Sequence, residues 1–237
     1  RMVGGLPLYR KDHCNGEFIF DWSWADAAHR ARMPYFPKLT ACIPFSPVDS
    51  RRFLTAPGAC EETIRAVLLD GARKAAENEP ATGIHFLFVS KSEQSDLERH
   101  GVLARDTLQF HWENRGYRDF DDYLSALKSK RRAQIRRERR LVRDAGVTVD
   151  VVPAVEASDA DRDAVYRYYC KTVSQYSWSD RYLNEAFFKT VFEHQASDIL
   201  LVMARQDGRT VAGTFNMVHG GVFYGRYWGC EVEIPCL

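Results

Sequence analysis

No run of apolar residues in this sequence is long enough to cross a membrane. The longest, near Ile84–Val89 and Ile199–Ala204, have only the length of strands. Cysteine is scattered, at positions 14, 42, 60, 170, 230 and 236, with no CxxC pair and no metal-ligand spacing. That pattern predicts reduced thiols and no resident metal. Motifs for a Ser or Cys nucleophile are missing, as are a P-loop and any His-rich metal spacing. The opening Arg1-Met-Val-Gly-Gly has no basic region leading into an apolar core, so no secretory signal is visible and a cytoplasmic protein is expected. What is present is 45% apolar and 27% charged residues, enough for a soluble globular protein with a proper core. The 237 residues make one large domain or two ordinary ones.

Overall charge is nearly balanced at +1, yet it is unevenly placed. Between Lys128 and Arg140 eight cations (Lys128, Lys130, Arg131, Arg132, Arg136, Arg137, Arg139, Arg140) face one acid, Glu138, so this stretch carries +7 and the rest of the chain −6. Such asymmetry points to a partner. The stretch Asp119–Gly146 reads as one long helix: Asp119 suits the N-cap, Asp121 and Asp122 the first turn, and Gly146 the stop. Phe120, Leu124, Leu127, Ile135, Val142 and Ala145 form an apolar stripe at steps of three and four. Arg131, four residues from both Leu127 and Ile135, falls on that stripe. An arginine facing packed protein requires a carboxylate or phosphate, so Arg131 pairs either with a structural acid or with a bound anion.

Strands and helices alternate along the chain, which predicts an α+β fold with mixed sheets. Residues 3–11 and 17–21 read as a hairpin around Asn15-Gly16. A short helix follows from Ala25 to Ala31, and then the proline-rich, extended segment 34–47. Glu61–Asn78 is an amphipathic helix. Ile84–Ser90 and Thr107–Glu113 read as strands flanking a helix over Glu93–His100; in the second of them His111 is expected as a satisfied core histidine. Beyond the basic stretch, strands at Val147–Val152, Ile199–Arg205, Val211–His219 and Val222–Tyr227 enclose helices at Asp159–Thr172 and Asn184–Ala196. Tyr176, Trp178, Arg181 and Tyr182 make a polar aromatic loop suited to a lid. The opening Arg1-Met-Val-Gly-Gly and Phe18–Trp22 compare with Arg209-Thr-Val-Ala-Gly and Phe223–Trp228, each a hairpin ending in tryptophan. This internal repeat predicts two similar halves, clipped at both ends.

The runs GGLPLYRK and GEFIFDWSWADA, YFPKLTACIPFSPV, LQFHWENRGY, KRRAQIRRERR and YGRYWGC, in that order, resemble the FemAB-like N-acyltransferases. That family is labelled for peptidoglycan biosynthesis or recognition, within the GCN5-related acetyltransferase superfamily. The resemblance implies tandem acetyltransferase-like domains, at 1–117 and 147–237, joined by a basic linking helix at 118–146. Family members continue past YWGC into a further helix and a glycine-rich segment, both beyond Leu237. The implied chemistry is attack by an amine on an acyl thioester, usually carried on coenzyme A, without a metal. Relatives that build peptidoglycan cross-bridges take aminoacyl-tRNA as donor, and another related group acylates a long-chain base to make ceramide. A non-enzymatic module that holds RNA or an anionic surface, including the inner membrane, is the contrasting implication.

Candidate site residues follow. Tyr224, Arg226 and Trp228 alternate on one strand and so share a face, which suits a planar or anionic group. Glu231, just past them, stands where a general base would sit. Trp22, Trp24 and Asp26 form an aromatic, acidic edge for a substrate groove, and Arg131, Arg136 and Arg137 supply cations for a cofactor or substrate anion. A cleft where two halves meet is the expected setting. Arg205-Gln-Asp-Gly-Arg-Thr departs from the superfamily's pyrophosphate loop and reads as a turn.

Overall fold

The computed structural model describes residues 1–175 and 181–237, which form two compact units, Arg1–His111 and Trp112–Leu237. Tyr176 and Trp178 lie outside the described residues; Arg181 and Tyr182 are exposed. Among the described residues no helix is long and apolar enough to cross a membrane.

The first unit is built on small sheets. Strand β1 (Gly4–Gly5) pairs antiparallel with β4 (Leu54–Thr55). Strands β2 (Tyr9–Lys11), β3 (Lys38–Ala41) and β5 (Ile84–Phe86) form a second sheet, antiparallel at β2–β3 and parallel at β3–β5. The parallel pair needs a long crossover, and helix α2 (Glu61–Asn78) supplies it. Its buried Leu69 meets Phe53 and Leu97 of α3 (Lys91–Arg99), with Leu6, Leu68, Phe86, Val89 and Val102 packed around them. Buried Glu93 accepts the backbone N–H groups of Arg52 and Phe53, and the Arg52 guanidinium in turn donates to the carbonyls of Val48, Leu87 and Phe88. These polar groups hold the loop before β4 in place.

Three expectations for this unit fail. Residues 17–21 form no strand, so the hairpin at the head of the internal repeat is absent. Gly16 and Phe18 adopt positive φ and turn Glu17 and Asp21 inward, while β2 takes β3 as its partner. Nor is Thr107–Glu113 a strand. Its side chains alternate, but no described strand offers it a ladder, and Leu108 and Phe110 remain exposed. His111 lies at the surface against Gln109, not in a core.

In the second unit, β6 (Val147–Pro153), β7 (Ile199–Gln206), β8 (Arg209–His219) and β9 (Val222–Cys230) form an antiparallel sheet in chain order. The turns at Asp207-Gly208 and Gly220-Gly221 match the twist of the strands, with positive φ at all four positions. Helix α6 (Asp159–Ser174) buries Asp161, Ala164, Val165, Tyr168 and Tyr169, the three-and-four spacing of an inward face, and packs on β8 and β9. Phe188 and Phe192 of α7 (Glu185–Gln195) complete an aromatic core with Tyr169, Phe215 and Tyr227. Gly229 permits the close approach of α6: a Cβ there would stand 2.5 Å from the Tyr168 carbonyl oxygen.

The basic stretch is two helices, α4 (Phe120–Ser125) and α5 (Ser129–Asp144), not one. Asp119 caps α4 through the Asp122 N–H, as its sequence suggests. At Lys128 the backbone is extended (ψ 143°), which frees the last carbonyls of α4. Arg132 Nη1 satisfies the carbonyls of Ser125 and Leu127 at 3.2 and 3.0 Å. The break also resets the helical phase. On α5 the partly buried positions are Arg132, Ile135, Glu138 and Val142, so Arg132 takes the place assigned to Arg131.

Candidate active site

Strand register assembles a charged group in the first unit. Directly paired residues of a sheet share a face, and the pairs here are Lys11 with Lys38, Tyr9 with Thr40, and Thr40 with His85. Lys11, Lys38, Thr40 and His85 therefore project together. Over this face fold Glu17 and Asp21, the latter at the N-cap position of α1 (Trp22–Arg30). Asp21 makes no capping bond. Its carboxylate goes to side chains instead.

Lys38 Nζ stands 2.8 Å from Glu17 Oε2 and 2.7 Å from Asp21 Oδ2, and none of the three side chains exposes more than 1% of its surface. Thr40 Oγ1 donates to Glu17 Oε1, and Lys11 Nζ lies 3.7 Å from the same oxygen. Arg105 Nη1 donates to Asp21 Oδ1 at 2.8 Å, and the Tyr35 phenol also bonds this carboxylate. Finally, His85 Nδ1 is 3.6 Å from Asp21 Oδ2, with 29% of its side chain exposed. Charge buried at this density persists only because every carboxylate has cationic partners.

The electrostatics assign each group a state. Burial opposes ionisation of Asp21, but hydrogen bonds from Lys38 and Arg105 outweigh it and hold its carboxyl below the usual range. For His85, burial first and the Lys38 ammonium second depress the imidazole below its ordinary value, against the pull of Asp21. The ring is therefore neutral at pH 7. Burial and the Asp21 charge push Tyr35 well above a normal phenol. A neutral imidazole whose Nδ1 faces a fixed carboxylate keeps its proton on that side, leaving Nε2 as an acceptor. Beside it runs an exposed aromatic edge. Phe20 and Trp22 stack at 4.6 Å, and the Arg105 guanidinium lies 5.8 Å from the Trp24 ring.

Of the residues flagged in the sequence, Trp22 and Trp24 flank this group, while Asp26 turns to Arg30 one helical turn on. Arg131 and Arg137 are exposed and, among the described residues, make no ion pair; Arg136 lies 3.6 Å from exposed Asp121. Arg139 rests 4.1 Å over the Phe120 ring. The cations that touch protein thus pin α5 to α4, and Arg131 is not a buried ion pair. Tyr224, Arg226 and Trp228 do not share a face. Phe215 pairs with Tyr227 and Asn216 with Gly225, so Arg226 is the extra residue of a bulge. The slip puts Tyr224, opposite Met217, on the face of Tyr227, and Trp228, opposite Thr214, on the other. Arg226 stacks on the Tyr227 ring at 5.2 Å. Glu231 is exposed and pairs with Arg167 at 3.3 Å. The sequence reading missed Glu17, Asp21, Lys38 and His85. A lysine inside the otherwise apolar strand KLTAC was the visible signal, with Glu17 and Asp21 four apart among aromatics.

A model of the FemAB-like family, described as peptidoglycan biosynthesis/recognition, matches residues 1–237. No curated protein matches. A solved structure described as a conserved protein of unknown function from Bacteroides thetaiotaomicron VPI-5482 aligns at a TM-score of 0.48 and 16% identity, over 86% of this chain and 64% of that one. The chain thus spans less than two thirds of that protein's length.

Proposed function

The chain belongs to the FemAB-like family, and on that footing we propose that it takes part in transferring an acyl group from an acyl thioester, carried on coenzyme A, to an amine. His85 is the proton acceptor in this reading. The amine nitrogen attacks the thioester carbonyl, the C–N bond forms and the C–S bond breaks. The amine's proton passes to His85 Nε2 and then to the leaving thiolate. Asp21 fixes the ring and stabilises the imidazolium that forms in between. Trp22, next to Asp21 in the chain, and Trp24, against the Arg105 guanidinium, offer exposed apolar surface at the edge of the charged group. One observation carries the reading: a partly buried, neutral imidazole backed by a buried carboxylate that three other groups hold in place.

Transfer to a panel of amines from acetyl-CoA and longer acyl-CoAs tests it. His85→Gln should lower the rate by about 100-fold or more with the melting temperature unchanged. Full activity in that variant would end the assignment. Glu231→Gln is the parallel arm, since Glu231 is the acceptor that the second unit would offer. A second reading, with aminoacyl-tRNA as donor, has its own support in the exposed cations Arg131 and Arg137, which make no ion pair among the described residues. Under it, replacing both should flatten the dependence of activity on salt by about two counterions.

A further inference from the structure

The first unit also carries an open cleft of about 280 Å³ between β2 and residues 42–45, on the Lys11 side of the buried charges. We propose that this cleft binds the phosphate of a phosphate-bearing ligand. What it offers is almost entirely hydrogen-bond donors. The Lys11 ammonium gives one proton to the Asn15 carbonyl at 2.5 Å, and its next neighbour, Glu17, is 3.7 Å away, beyond a good hydrogen bond. Arg10 meets Asp12 through Nη1 and Glu79 through Nε, so its Nη2 group is uncommitted. His13 accepts the Asn15 N–H at Nδ1, which places the proton of the neutral ring on Nε2 and makes that edge a donor too. Arg10, Lys11 and His13 all line this one opening, Lys11 from the sheet face and Arg10 from the other side of the edge strand β2, and the Asn15 carbonyl is already taken. The matching ligand group is a multiply accepting anion.

The walls fit a ligand larger than a bare ion. Tyr9 and Phe45 line the cleft and give a ring or an alkyl arm an apolar surface. Their framework is preset. The Phe45 N–H donates to the Gly16 carbonyl at 3.0 Å, both residues have positive φ, and a Cβ on Gly16 would stand 2.5 Å from the Phe45 ring. A cleft that is formed before binding avoids the ordering cost of making it. The acids near these cations hold them loosely: Asp12 and Glu79 meet Arg10 at 3.4 and 4.0 Å with 65% and 60% of their side chains exposed, and Glu17 stands 3.7 Å from Lys11.

Calorimetric titration of the full chain with inorganic pyrophosphate, with coenzyme A and with phosphatidylglycerol vesicles tests this and separates the sources of phosphate. Binding of any of the three is expected, with coenzyme A tightest if the phosphate comes from a soluble cofactor and vesicles tightest if it comes from a lipid. Lys11→Gln and Arg10→Gln should each weaken binding about tenfold or more, and Asp12→Asn should strengthen it by freeing Arg10. Arg10 is half-exposed, so its variant keeps the test valid if loss of Lys11 disturbs folding. His85→Gln should leave these affinities unchanged, so the cleft and the transfer chemistry fail separately. No heat with any of the three probes, or binding indifferent to both Arg10 and Lys11, would overturn the proposal.

Discussion

Lys38→Met is the substitution on which the account of the first unit can be weighed most directly. Lys38 is fully buried and holds two buried carboxylates at once. Methionine keeps most of its length and apolar stem while removing only the ammonium. Asp21 then retains Arg105, and Glu17 retains a 3.4 Å bond from Thr40 and the more distant Lys11. Each lost charge-assisted bond contributes about 1.5–3 kcal/mol. Removing one partner of a buried pair costs about 3–5 kcal/mol in total. Against a domain stability of about 5–15 kcal/mol, the first unit would become marginal. Urea unfolding gives the total, and hydrogen exchange at the Leu39 amide, bonded to the Gly83 carbonyl at 2.9 Å, localises the loss to β3.

The pH dependence gives a second, independent check. In the parent protein Asp21 has a depressed pKa, so its stabilisation is present above the unfolded value and is lost as pH falls through the folded one. Without Lys38, burial acts on Asp21 with less opposition and its carboxyl titrates higher. It becomes neutral on acidification while the parent still keeps its ion pairs. The stability deficit of Lys38→Met should therefore shrink between about pH 8 and about pH 5. A deficit below about 1 kcal/mol near neutrality, or one that stays flat over that range, would refute the reasoning.

Three further outcomes are expected. Arg132→Ala should cost about 1–2 kcal/mol by stranding the carbonyls of Ser125 and Leu127, whereas Arg131→Ala should change stability by less than about 0.5 kcal/mol; thermal melts compare them. Gly229→Ala should destabilise by about 1–3 kcal/mol, because its Cβ meets the Tyr168 backbone of α6, which cannot turn away, as well as the Thr172 hydroxyl; circular dichroism melts read this out. The transfer rate should rise with pH through a midpoint below the ordinary imidazole value, and NMR titration of His85 should give the same midpoint.

Where neighbouring residues decide the outcome, the sequence was legible. The helix over 61–78, the strands from Val147 onward and both glycine turns of the second sheet follow from period and turn chemistry, and the structure places them with few shifts. Long-range partners decided what was not legible. Residues 17–21 have the apolar, aromatic run of a strand, but Lys38, 21 residues on from Glu17 and 17 from Asp21, takes both acids and coils the segment over itself. Arg131 and Arg132 are equally good members of an apolar stripe until the break at Lys128 shifts the phase by one residue. One bulge, at Arg226, likewise undoes the alternation of Tyr224, Arg226 and Trp228. No local pattern announces a bulge or a break of this kind, because each is settled by what lies across the sheet or in the preceding helix.

A buried ion cluster is a weak device for stability alone, since apolar residues of similar volume commonly do as well or better. The cluster in the first unit can be judged on that ground. Replacing Glu17, Asp21 and Lys38 together by leucine, leucine and methionine removes both signs of charge and leaves no buried charge unpaired by the change, at the cost of the weak 3.4 Å bond that the Thr40 hydroxyl gives Glu17. Arg105, with 42% of its side chain exposed, can turn to water. Folding should then hold, or improve by about 1–4 kcal/mol. If the cluster exists to orient His85, transfer should fall by as much as in His85→Gln, because the ring has lost the carboxylate that fixes its proton. The two consequences separate cleanly: a stable triple variant without transfer activity assigns the buried charges to chemistry, and a stable, fully active one would show that Asp21 positions nothing and that the acceptor lies elsewhere.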